Sequence, residues 1–223
     1  MTANHVRSIF PVAAIVALLV VTKQPSQAAV VINEIDANQT GSTDLQEFVE
    51  LSGPANLSLS GYVVVFFNGA TNASYLSFDL DGYQLGNTGF FLLGNPGVVP
   101  TPDIIFPTTT LQNGPDAVAL YLANAADFPL GTPATSTNLV DAINYGSSSN
   151  PPDTALMAIL GQSTQFIDTD TTSISRVPDG TGPFTENTVP TPMNSGIPQV
   201  PEPSTILLGV TLVGLVTIQR RTR

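Results

Sequence analysis

Between residues 24 and 219 the sequence has no lysine, no histidine and no cysteine, and Arg176 is the only base facing 17 acids. Tryptophan is absent from the whole chain, and the single histidine is His5. Ser-His-Asp triads, thiol nucleophiles, Schiff-base lysines, His or Cys zinc sites and phosphate loops of the Walker type each lose an indispensable group. One guanidinium cannot build a basic face, so nucleic-acid binding through phosphate neutralisation is excluded on charge. Paired carboxylates, as in glycosidases, are the one catalytic constellation left. Here the aspartates are scattered over loops, and no indole offers a sugar a flat face. The expectation is therefore a protein that is not an enzyme. With no disulfide available, an exported domain of this chain must be held by its core.

Long apolar runs occur at the two ends. Ile9 to Val21 is a 13-residue apolar stretch behind His5 and Arg7, followed by Ser26-Gln27-Ala28. A weakly basic start, a short apolar run and small residues at the exit predict a secretory signal peptide over 1–28, cut after Ala28. At the other end Pro201-Glu202-Pro203 leads into the 14 residues Thr205 to Ile218, then to Arg220, Arg221 and Arg223. As a helix that run spans ~21 Å, short for a hydrocarbon core of ~30 Å. Arginines beyond it would stay on the cytoplasmic side and leave the body outside. The order of Pro-Glu-Pro, short apolar helix and arginine cluster resembles the PEP-CTERM sorting signal of bacteria. The resemblance implies an exosortase-type enzyme as partner, cleavage near the triplet, a membrane-held intermediate and delivery to the cell surface or extracellular space. A plain tail anchor is the alternative reading.

The middle of the chain predicts an all-β domain over 29–186. Short apolar or alternating runs lie between Gly, Pro, Asn and Asp, and none has helical period over helical length. Strands are predicted at Val30–Asp36, Gln46–Leu51, Tyr62–Asn68, Ser74–Leu80, Phe90–Leu93, Asp116–Leu122, Asn138–Tyr145 and Ser173–Val177. Tyr62 to Phe67 is apolar on both faces, as a strand buried on both sides would be. Asn68-Gly69, Asp81-Gly82, Asn95-Pro96-Gly97, Asn113-Gly114 and Asp179-Gly180 supply turns. Thr154–Leu160 is the one helical candidate. Residues 187–200, rich in Pro and Thr, read as an extended stalk ahead of the sorting segment at 201–223. Seven or eight short strands in this length suggest a β-sandwich.

A second resemblance rests on segments that run in order through the body. They are Val31-Ile32-Asn33-Glu34-Ile35-Asp36, Asp44-Leu45-Gln46-Glu47-Phe48-Val49-Glu50-Leu51, Leu59-Ser60-Gly61-Tyr62 and Gly89-Phe90-Phe91-Leu92-Leu93-Gly94. Leu111-Gln112-Asn113-Gly114-Pro115-Asp116, Val140-Asp141-Ala142-Ile143-Asn144-Tyr145-Gly146, Ser173-Ile174-Ser175-Arg176 and Thr191-Pro192-Met193-Asn194 follow. Together they resemble the bacterial lamin-tail domain, with Met193 where that family more often has glycine. The resemblance implies an immunoglobulin-like β-sandwich. It implies no particular activity.

The acids raise a question of charge. Strict alternation would place Ile32, Glu34 and Asp36 on one face of the first strand, and Phe48 and Glu50 on one face of the second with Glu47 opposite. Neighbouring carboxylates repel, and burial raises their pKa values. Solvent exposure, a calcium ion, or a salt bridge from Arg176 to Glu34 or Glu50 would each relieve them. Calcium candidates are Asp36 with Asp44 and Glu47, Asp79 with Asp81, and Asp168 with Asp170. None follows the EF-hand spacing, and solvated surface charge is the simpler reading. The functional expectation is an exported, non-catalytic surface protein, structural or adhesive in the envelope or extracellular matrix. The alternative is a binding module for extracellular polysaccharide or a protein partner, aided by calcium.

Overall fold

The computed structural model describes residues 30–40, 43–147 and 149–193. They form a sandwich of two β-sheets. Strands β1 (Val31–Asp36), β2 (Phe48–Ser52), β5 (Phe90–Gly94), β6 (Ile104–Ile105), β10 (Ser173–Arg176) and β11 (Phe184–Thr188) make one sheet, in the order β11-β10-β1-β2-β5-β6. The second holds β3 (Tyr62–Asn68), β4 (Ala73–Asp79), β7 (Asp116–Leu122), β8 (Leu139–Gly146) and β9 (Gln165–Ile167), in the order β4-β3-β7-β8-β9. Neighbours are antiparallel except β5 with β6 and β8 with β9.

The main core lies between the sheets. Ile32, Ile35, Val49, Leu51, Phe91 and Leu93 meet Val64, Phe66, Val118, Leu120, Ile143 and Tyr145 there. Phe66 anchors an aromatic group, its ring 5.3 Å from Phe78 and 5.8 Å from Phe106. A second cluster covers the outer face of the five-stranded sheet, where Val63, Val65 and Phe67 pack under Phe128, Leu156 and Leu160. The doubly apolar run in β3 is thus buried on both sides, as its sequence predicts. The helix α1 (Thr154–Ile159) supplies part of that cover. Its start is fixed by Asp153, whose carboxylate accepts the N–H groups of Ala155 and Leu156 at 3.0 and 2.8 Å, offsetting amides that a helix start leaves unpaired.

Two expectations change on the six-stranded sheet. Pairing of β1 with β2 steps between Ile32 and Glu34, so Asn33 is an extra residue in β1. That bulge moves the phase of alternation: Ile32 and Ile35 both enter the core, and Glu34 parts from Ile32 and faces outward with Asp36. The domain also runs past 186. Strand β11 continues to Thr188, and the chain then crosses the outer face as far as Met193. Residues 187–193 therefore pack on the fold, where the Thr191 and Met193 amides donate to the buried carboxylates of Glu34 and Glu50. The signal peptide at 1–28 and the sorting segment at 201–223 lie outside the described residues. Among the described residues, no helix is long and apolar enough to cross a membrane.

Candidate functional site: a carboxylate face under the chain's own strap

Glu34 of β1 and Glu50 of β2 stand directly opposite each other on the outer face of the six-stranded sheet, and both are fully buried. Among the described residues no cation serves them. Glu34 accepts the Ser173 hydroxyl at 2.6 Å, the Thr191 N–H at 3.0 Å and the Thr191 hydroxyl at 2.8 Å. Glu50 accepts the Asn33 amide and the Met193 N–H, each at 2.7 Å. Asn33, the bulged residue, accepts the N–H of Gly180 at 2.6 Å through its carbonyl oxygen, which aims its amide at Glu50. The segment 190–193 is therefore a strap laid across the strands and fastened by neutral donors. Burial pushes the Glu50 carboxyl up to about 8, and the adjacent Glu34 adds to the push. Glu34 is raised for the same first reason.

Arg176 binds elsewhere. Ser173 and Ser175 flank Ile174, whose side chain is in the core, and alternation sends Arg176 to the inner side as well. Its Nη2 donates to both oxygens of Asp141 on β8, at 3.0 and 2.9 Å, while Nε and Nη1 donate to the Ile32 and Gly182 carbonyls at 2.8 and 2.9 Å. The guanidinium also lies 4.1 Å from the centre of the Phe184 ring. The salt bridge expected for Arg176 exists, but its partner is Asp141 in the opposite sheet, in place of Glu34 or Glu50. Strand alternation turned Arg176 away from both glutamates.

The calcium candidates fall into separate settings. Asp36 and Asp44 share Gln39, which donates its side-chain amide to Asp36 at 2.8 Å and its backbone N–H to Asp44 at 2.9 Å. Glu47 accepts Asn95 and the Thr110 N–H at 3.1 and 2.8 Å. Asp79 and Asp81 are exposed and brace a turn, accepting the N–H groups of Asp81 and Gly61 respectively. Asp168 accepts the Ala37 N–H at 2.6 Å, while Asp170 accepts the Asn38 side chain. Burial raises Asp36 and Glu47 to about 7 and Asp168 to about 8. Among the described residues, no three acidic groups gather as ligands for one metal ion.

Sequence reasoning passed over Asp141 and the strap. Asp141 sits in an alternating run and gives no sign of a partner on a distant strand. For the strap a signal existed: two glutamates on a buried face, short of bases, require neutral donors from somewhere in the chain. Comparison of the chain with models of known families, with curated proteins and with solved structures yields no match.

Proposed function

We propose that this chain is an exported, non-catalytic surface protein, a lamin-tail-like sandwich of immunoglobulin type delivered by a PEP-CTERM signal. Its role is structural or adhesive in the envelope or extracellular matrix. The observation that carries this reading is the sequence order at the C-terminus, where Pro201-Glu202-Pro203, an apolar run and three arginines follow a closed domain. The geometry supports the non-catalytic part: Glu34 and Glu50, a cross-strand pair of buried carboxylates, are covered by the strap and bonded by it. A catalytic pair would need to face a substrate and a water. Binding of a partner, the second reading, is favoured by a cavity that opens beside Asp36.

Fractionation of the producing cell with mass measurement of the mature chain tests the proposal. The expected product begins after Ala28, ends near Pro201 and leaves the membrane for the surface or medium. Replacing Pro201-Glu202-Pro203 with alanines should hold the longer form in the membrane. An uncut chain in the cytoplasm, or identical processing of the alanine variant, would overturn the reading.

A further inference from the structure

Beside the strap the outer face opens into a cavity of about 210 Å³. Asp36 and Phe48, cross-strand neighbours on β1 and β2, line it together. Pro190 and Pro192 of the strap, with Val98 and Val99 of the β5–β6 connection, supply apolar walls, and Gln46 adds a neutral polar one. Asp36 is only 5% exposed, and one of its oxygens accepts Gln39 at 2.8 Å. The charged groups around it are all acidic: Glu34 on the same strand, Asp44 in the next loop and Asp168 ahead of β10. Among the described residues Arg176 is the one base, and Asp141 holds it.

These features select among ligands. An anion would meet four acids. A hard metal ion would want several converging carboxylates, which are not gathered here. An arginine would want a pair of acceptors matched to its planar fork, whereas one carboxylate beside the apolar side chains of Phe48, Val98, Pro190 and Pro192 suits a compact ammonium on an alkyl stem. We infer that the cavity takes a lysine side chain of a partner protein, its methylenes against Pro190, Pro192 and Val98 and its ammonium on Asp36. The inference rests on the surface role proposed above and gives that role a partner of defined chemistry. It also fits the charge of the domain, where among the described residues one engaged base stands against 16 acids.

Burial pushes Asp36 up to about 7, and Glu34 and Asp44 push the same way. An ammonium favours the ionised carboxylate, so a proton competes with lysine and affinity falls as pH drops through about 7.

The test is a titration of the full chain in non-ionic detergent, followed through its backbone amide resonances. The probe is acetyl-lysine methylamide, and the control is the same molecule acetylated on its side-chain amine. Saturable shifts are expected at Phe48, Val98 and Val99 near pH 8, about thirtyfold weaker near pH 5.5, and absent with the control. Asp36→Asn should abolish them. Val99→Lys, at a position 81% exposed and safe for folding, should weaken them by setting a competing ammonium at the mouth. Equal binding of the acetylated control, undiminished binding in both variants, shifts scattered over the acidic surface, or no shifts would each overturn the inference. A chain found to remain in the cytoplasm would leave these resonances unaffected, so the two readings fail separately.

Discussion

Arg176 joins the two sheets, since it stands on β10 and grips Asp141 on β8. Its five donors are nearly all engaged, on two backbone carbonyls and one carboxylate, and an aromatic ring lies against it. Removing one side of such a pair leaves the other charge without a partner. Arg176→Met is expected to lower the unfolding free energy by about 3 kcal/mol in urea titrations. Arg176→Lys should recover only part of that, because an ammonium cannot span Asp141, Ile32 and Gly182 at once. A loss below ~1 kcal/mol for Arg176→Met would place the pair among surface bridges of little consequence. That Arg176 would pair was legible from its solitude in the sequence. Its partner was not, because two sheets have to be stacked before β8 and β10 come within reach.

At the scale of elements, β3 and β7 are legible to the residue, as their apolar runs are long and bounded by turn residues. The strands β6 and β9 are too short to show a period, with two and three residues. Strand β11, Phe-Thr-Glu-Asn-Thr, is polar because it lies at a sheet edge. The bulge at Asn33 defeated alternation by adding one residue to the count. The strap was legible in composition but not in destination: Pro and Thr do make it extended, and only the buried glutamates tell where it lies. Thr191→Val removes one hydroxyl donor from Glu34. Since a hydrogen bond to a charged group contributes about 2 kcal/mol, strap docking should weaken roughly thirtyfold. Hydrogen exchange of the Met193 amide, bonded to Glu50, reads that change directly. An unchanged rate would mean that the Thr191 hydroxyl does not help to hold the strap.

For the molecule as a whole, the raised carboxyls dictate an unusual response to pH. Asp36 and Glu47 at about 7, and Glu50 and Asp168 at about 8, hold protons more tightly folded than unfolded. The unfolded chain, with ordinary carboxyls near ~4, releases those protons first. Stability is therefore fullest below about pH 4 for these groups and is lost as pH rises through about 7 to 8. Urea midpoints should fall between pH 5 and 8, corresponding to a loss of at least about 2.6 kcal/mol, the effect over that window of a single group that titrates at about 7 folded and near ~4 unfolded. Glu50→Gln should flatten part of that slope. Added salt should not, because it screens exposed acids far better than buried ones. Stability that stays level or climbs from pH 5 to 8 would mean these carboxyls are ionised in the native fold.

The strap also determines how the domain meets a pull. Tension applied to the chain beyond Met193 arrives first at the bond to Glu50, next at the bonds to Glu34, and then at the edge strand β11. Attachments loaded one after another yield in sequence, each at modest force, instead of resisting together. The terminal segment would thus lengthen under load and let go of its fastenings before the main core is strained.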